Sequence, residues 1–140
     1  MTESHIQKSF VTELSLYPAV RQYLFAIPNG GSRHKLEAIS LKAQGVTPGI
    51  PDLFLSIPTK KHHGLYLECK SDKGKLTEHQ TKKIFIFKEI GYECILFRTS
   101  KEGIEVVKEY LGLTNLRNFK DDTELELVKD GIEYALGRAS

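Results

Sequence analysis

Three side chains in the middle of the chain have the types and spacing for phosphodiester chemistry: Asp52, Glu68 and Lys70. Asp52 heads a short apolar run directly after Gly49-Ile50-Pro51, and Glu68 and Lys70 stand two apart in the next run, Gly64-Leu-Tyr-Leu-Glu-Cys-Lys70. A phosphodiester resists water because its charge repels a nucleophile and its leaving oxygen is poor. A divalent cation answers both, by lowering the pKa of a bound water and by neutralising charge that develops on phosphorus. Mg²⁺ takes oxygen ligands in an octahedron and keeps several waters, so two carboxylates and a substrate phosphate suffice. Asp52 and Glu68 can supply those carboxylates from neighbouring strands, with the peptide carbonyl of Cys69 as a third ligand. Lys70, beside two acids, is expected to act as an ammonium that orients the attacking water rather than as a neutral base. Glu-x-Lys by itself reads as an ordinary surface ion pair. The Gly-x-Pro-Asp before it and Gln80 after it set it apart.

The elements that must position these residues are legible in order. Thr2 to Tyr17 has Ile6, Phe10 and Leu14 at helical spacing and stops at Pro18. Glu3 lies roughly 20° from Phe10 on the helical wheel and Glu13 roughly 60° away. Glu3 is therefore either a simple first-turn acid or a group that reaches the site, with Glu13 as the alternative acid of this helix. Val20 to Ile27 reads as a strand, closed by the Pro28-Asn29-Gly30-Gly31-Ser32 loop. With Arg33 just beyond it, that loop can carry phosphate contacts or be a plain connection. Residues 33–44 read as a short helix on the repeat of Leu36, Ile39 and Ala43, ended by Gly45.

Two prolines then force an extended entry into the Asp52–Ile57 strand. In the partner strand Tyr66, Glu68 and Lys70 share the site face, and Leu65, Leu67 and Cys69 the core face. Ser71 to Lys75 is a basic loop holding Lys73 and Lys75. Thr77-x-x-Gln80 has the form of a capping box, so Gln80 is either a helix cap or a contact to substrate or metal-bound water. A helix with Ile84, Phe87 and Ile90 as its buried stripe follows, then a strand over Tyr92–Thr99 and a helix from Ser100 to Gly112. The tail, residues 120–140, reads as an acidic amphipathic helix with a second capping box at Thr123 to Glu126, packed on the core or in a dimer interface.

A chain of 140 residues accommodates one domain, with 40% hydrophobic and 27% charged residues. The polar N-terminus lacks an apolar leader core, and no apolar run approaches the roughly 18 residues of a membrane span, so an intracellular, cytoplasmic protein is expected. Cys69 and Cys94 sit in strand-like runs and read as reduced core residues rather than a disulfide or zinc pair. His62 and His63 are adjacent and point to opposite sides of an extended segment. Residues 1–119 carry 17 Lys/Arg against 12 Asp/Glu, and residues 120–140 carry 3 against 6. The excess of base accompanies the three-residue set, as expected of a protein that holds a phosphate backbone; a solvated lysine-rich face is the plain alternative.

Gly49-Ile50-Pro51-Asp52, Glu68-Cys69-Lys70 and Gln80, preceded by Ile27-Pro28-Asn29-Gly30-Gly31 and Gly45-Val46, resemble the virus-type replication and repair nuclease (VRR-NUC) family of the PD-(D/E)xK superfamily, over about residues 3 to 111. The resemblance implies a restriction-endonuclease-like α/β core over residues 1–119: a small mixed β-sheet flanked by helices, with the tail as an extra C-terminal helix. It implies DNA hydrolysis with Mg²⁺ or Mn²⁺. Asp52 and Glu68 match the metal-binding acids, Lys70 the catalytic lysine, Gln80 the glutamine of the following helix and Glu3 the acid of the first helix. Asn29, Gly30, Gly31, Arg33, Lys73 and Lys75 are the expected DNA contacts. Lacking a recognition domain beyond this core, the chain is similar to stand-alone members that act on branched DNA as homodimers, like Holliday junction resolvases. The alternatives are a flap-directed or sequence-specific nuclease, or a non-catalytic DNA-binding protein.

Overall fold

The computed structural model describes residues 1–28, 35–120, 131, 133 and 135–137. Helix α1 (Glu3–Leu14) starts where Thr2 takes an extended backbone and its hydroxyl accepts the His5 N–H at 3.2 Å. It buries Ile6, Phe10 and Leu14, the stripe that a 3.6-residue period predicts. Pro18 does more than stop this helix. Its fixed φ suits a first helical position, and α2 (Pro18–Arg21) forms there. Arg21 then donates to the Leu24 carbonyl at 2.8 Å. The strand expected from Val20 therefore begins later, as β1 (Leu24–Ala26).

Three further strands, β2 (Leu53–Leu55), β3 (Leu65–Cys69) and β4 (Glu93–Phe97), complete a mixed sheet in the order β1-β2-β3-β4. The first three are antiparallel, with Leu24 opposite Leu55 and Leu53 opposite Leu67. Strand β4 runs parallel to β3, with Cys69 opposite Phe97. The crossover between them is α4 (Glu78–Glu89), because a parallel return cannot be made by a tight turn. Helix α3 (Lys35–Ala43) lies between β1 and β2 in the chain, and α5 (Ser100–Leu111) follows β4. Helix α5 opens with a capping box of Thr99 and Glu102 and closes at Gly112, whose φ of 69° suits glycine.

The core lies on one face of the sheet, under α1 and α5. Phe10, Leu14, Leu55, Leu65, Leu67 and Val107 are all fully enclosed, and burying a side chain of this size stabilises by about 1.5–3 kcal/mol. Phe10 and Phe97 meet with ring centroids 4.8 Å apart. Gly103 lets α5 come this close, since a Cβ there would stand 2.5 Å from Phe10 Cδ1.

The other face of the sheet carries an aromatic layer. Phe54 packs on Tyr66 at 4.5 Å, and Tyr66 stacks on Phe87 of α4 at 4.6 Å. Two helical stripes expected from sequence turn out differently here. In α4 the face toward the sheet is Gln80, Lys83, Ile84 and Phe87, all half-buried, while Ile90 is exposed. In α3, Leu36 and Ile39 are exposed, and Ala38 and Leu41 turn inward instead. The repeat of three apolar residues marked the helix in each case: in α4 two of its three members face the sheet, whereas in α3 the tertiary neighbour selected a different face. The acidic helix expected over residues 120–140 falls largely on residues outside those described, as do Asn29, Gly30, Gly31 and Arg33. Among the described residues no helix is long and apolar enough to cross a membrane.

Candidate active site

The Gly49-Ile-Pro-Asp52 turn ends where β2 begins, and its glycine is needed there. Gly49 has φ +84°, and a Cβ on it would stand 2.8 Å from the His79 carbonyl oxygen, so the turn docks directly on the first turn of α4. Asp52 leaves this turn toward β3, where its Oδ2 accepts the Cys69 N–H at 2.9 Å. The backbone of Cys69 thus orients one acid of the expected pair through its N–H. One residue on and on the β4 side, the Lys70 N–H donates to the Phe97 carbonyl at 3.1 Å, which carries the β3–β4 ladder one residue past the strand and holds Lys70 in line.

Strand alternation places Glu68 and Lys70 on the side opposite Leu67 and Cys69, yet neither faces open solvent. Glu68 is 2% exposed and Lys70 is 7% exposed. Lys70 Nζ lies 3.8 Å from Glu3 Oε1. Cys69 Sγ, 3.5 Å from the Glu3 carbonyl, ties the start of α1 to β3. Glu3 is therefore both a first-turn acid and the partner of Lys70, while Glu13 is exposed and lines none of the cavities described here.

A cleft of about 660 Å³ holds Glu3, Asp52, Glu68, Lys70 and Gln80 together, with Lys42, Pro48, Gly49, Thr77 and His79 around them. On the α1 side a second hollow of about 640 Å³ shares Glu3 and Asp52 and adds Ser4, Gln7, Lys8, Val11 and Thr12. The two acids thus stand where two clefts meet. Gln80 makes the complete capping box: its Oε1 accepts the Thr77 N–H at 2.9 Å, and the Thr77 hydroxyl accepts the Gln80 N–H at 3.2 Å. It lines the cleft while it caps the helix. Lys73 and Lys75 are exposed on the loop after β3.

The electrostatics centre on Glu68. Burial raises its pKa from 4.5 to about 9, reinforced by a hydrogen bond with Asp52 and by repulsion from Asp52 and Glu3, with Lys70 opposing. Its Oε2 is enclosed and accepts no hydrogen bond. A buried carboxylate oxygen without a partner, pressed against a second carboxylate, is a site that a cation would satisfy. Among the described residues no group of three or more His, Cys, Asp or Glu side chains gathers to hold an ion alone. The donor set is two carboxylates supplemented by water, phosphate or backbone oxygen, which fits Mg²⁺ or Mn²⁺ better than zinc. Cys69 and Cys94 are free and buried, with burial pushing their thiols up to about 12 and about 11.

Residue patterns did not single out Lys42, His79 or Arg98. Lys42 lies in the last turn of a short helix, and His79 stands inside the Thr77-x-x-Gln80 capping box, where nothing but its place beside the cap could have marked it. Arg98 follows an apolar strand, a position common to many surface arginines. Its three carbonyl contacts depend on residues more than 20 positions away.

Comparison with known proteins agrees with the fold. A solved structure described as a VRR_NUC domain protein superposes with a TM-score of 0.67 at 24% identity, over 81% of this chain and 90% of that one. No curated protein matches the chain. The VRR-NUC domain model matches residues 4–101, which contain Asp52, Glu68, Lys70 and Gln80. The chain, a mixed sheet flanked by helices with these residues in one cleft, belongs to the VRR-NUC domain family, nucleases of the PD-(D/E)xK type.

Proposed function

We propose that the protein is a Mg²⁺- or Mn²⁺-dependent DNA endonuclease that acts on branched DNA as a homodimer. The observation that carries the metal-dependent part is the enclosed, unpartnered oxygen of Glu68 beside Asp52 and Lys70 in one cleft. Asp52 and Glu68 would hold the ion, with the Cys69 carbonyl as a further oxygen donor. A bound divalent ion supplies a water of lowered pKa and a counter-charge for the phosphate.

The protein's own residues prepare the rest. The Cys69 N–H fixes the Asp52 carboxylate. Glu3 holds the Lys70 side chain, whose ammonium lies in the cleft to orient a water and to meet charge developing on the phosphate oxygens. Enclosure of Lys70 and Glu68 strengthens both interactions relative to water. The continuation of the cleft past Asp52 onto α1 supports a polymeric substrate, since a strand must leave the scissile phosphate in both directions. Lys73 and Lys75 supply phosphate contacts at the rim.

The homodimer rests on geometry: paired cuts across a junction need two sites, and each chain has one. Exposed Phe85, Ile86 and Ile90 on α4 support a further contact surface. Cleavage of a four-way junction, a flap and a linear duplex of shared sequence, with Mg²⁺, Mn²⁺ or EDTA, tests the reading. Junction nicking is expected with either metal and is expected to vanish in Glu68→Ala and Lys70→Ala. Wild-type rates in Glu68→Ala would remove the site assignment, and equal cutting of all three DNAs would remove the branched-substrate part.

A further inference from the structure

Arg98 stands just past the end of β4 and is half-buried. One guanidinium nitrogen, Nη1, donates to the carbonyl of Ser71 at 2.6 Å and to that of Gly74 at 2.8 Å, with the Asp72 carbonyl at 3.3 Å. A terminal guanidinium nitrogen has two N–H groups, so the short bonds take both and the Asp72 contact is shared. All three carbonyls belong to the loop that follows Lys70. The arginine is itself anchored, because its backbone N–H donates to Glu102 Oε2 at 2.7 Å in the first turn of α5.

Those three carbonyls fold the loop tightly. The Gly74 N–H donates back to the Ser71 carbonyl at 3.0 Å. A Cβ at Gly74 would stand 3.2 Å from Glu3 Oε1 and 3.4 Å from Lys70 Cδ, so the loop closes against the Glu3–Lys70 pair. Lys73 and Lys75 flank Gly74 and are exposed. Two ammonium groups two residues apart repel each other, and a loop of this composition has little apolar area with which to order itself. Its conformation is supplied from outside, by a cation that the loop carbonyls hold in place.

We propose that Arg98 is a positioning residue that clamps the 71–75 loop against the Glu3–Lys70 pair and so presents Lys73 and Lys75 to a phosphate backbone. The inference rests on the nuclease reading of the Asp52–Glu68–Lys70 cleft. Arg98 does not meet substrate itself; it acts through the two lysines. Because a single nitrogen makes all three contacts, a lysine ammonium offers the same kind of donor at a reach one bond shorter, and Arg98→Lys should preserve part of the clamp where Arg98→Ala abolishes it.

The experiment has two arms. In the first, Arg98→Ala and Arg98→Lys are assayed with Mg²⁺ on whichever of the junction, flap and duplex the wild type cuts fastest. Arg98→Ala is expected to raise KM about tenfold while kcat stays within about threefold, and to lower the slope of log affinity against log salt by about two, one per lost phosphate contact. Arg98→Lys is expected to recover part of the loss. In a Lys73→Gln/Lys75→Gln background Arg98→Ala should cost less than about twofold more, since the residues it acts through are gone. An undiminished tenfold loss in that background, or no loss in the wild-type background, overturns the proposal.

The second arm measures tryptic cleavage after Lys73 and Lys75 in the folded protein without DNA. Arg98→Ala should accelerate it at least tenfold and Arg98→Lys by less than Arg98→Ala does; equal rates in all three proteins overturn the clamp. Should the wild type neither bind nor cut DNA, the nuclease reading falls. The tryptic arm still decides whether Arg98 holds the loop.

Discussion

Glu68→Gln gives the most informative single perturbation, because the buried acid has opposite consequences with and without metal. In the metal-free protein its pKa is raised from 4.5 to about 9 by burial and by Asp52. Between those values the folded state keeps a proton that the unfolded state has released, so wild-type stability falls as pH rises, by up to about 1.4 kcal/mol per pH unit. At pH 7 the accumulated deficit is about 3 kcal/mol. Glutamine has nearly the same shape, does not titrate, and can donate its amide to Asp52 in place of the acid's proton. The variant is therefore expected to melt above the wild type in EDTA, by on the order of 5–10 °C at pH 7, with the gap widening toward pH 8.5 and closing toward pH 5. Divalent metal is expected to reverse the order of response. At 10 mM Mg²⁺ and a dissociation constant of about 1 mM, the wild type should gain about 1.4 kcal/mol, whereas the variant, lacking one carboxylate, should gain little. Scanning calorimetry across pH, with EDTA and with Mg²⁺, reads both effects. A variant that melts at or below the wild type in EDTA at pH 7 to 8, or that gains as much from Mg²⁺, would refute the account of this site.

Gly49→Ala should destabilise by about 1–3 kcal/mol and reduce cleavage at least tenfold, because it forces a positive φ and drives a methyl into the His79 carbonyl; urea melts and junction assays check both, and a silent substitution would show that the turn does not need its glycine. Cys69 and Cys94 should resist a thiol reagent at pH 8 in the folded protein and react fully in urea, since burial keeps both thiols protonated up to about 12 and about 11. Phe85→Glu should shift the protein toward monomer in sedimentation while leaving its melting temperature within a few degrees, because Phe85 is 71% exposed within a single chain; an unchanged dimer would place the interface elsewhere.

Local physics accounts for what could be read in advance. The stripe of Ile6, Phe10 and Leu14, the Thr77–Gln80 capping box and the alternation that separates Leu67 and Cys69 from Glu68 and Lys70 each depend on neighbours within a few residues. The Gly-Ile-Pro-Asp turn is of the same kind: Pro51, Pro48 just before it and the positive-φ glycine mark its path locally. These signals brought Asp52, Glu68, Lys70, Gln80 and Glu3 to notice as a set. Periodicity was less informative about α3, where it marked a helix but not its buried face, because that face is chosen by whatever packs against it.

The sequence by itself determined which side chains share a strand face, where α1, α4 and α5 begin and which residues could do phosphodiester chemistry. Only the tertiary structure decided how those residues are held. It enclosed Glu68 and left one of its oxygens unpartnered, set Glu3 3.8 Å from Lys70 across nearly half the chain, oriented Asp52 by the Cys69 N–H and tied the basic loop to Arg98. The physical reason is common to all four. Spacing along a chain reports direction and shared faces, whereas desolvation and long-range hydrogen bonds depend on what the folded chain brings to cover a face, and no local pattern encodes that.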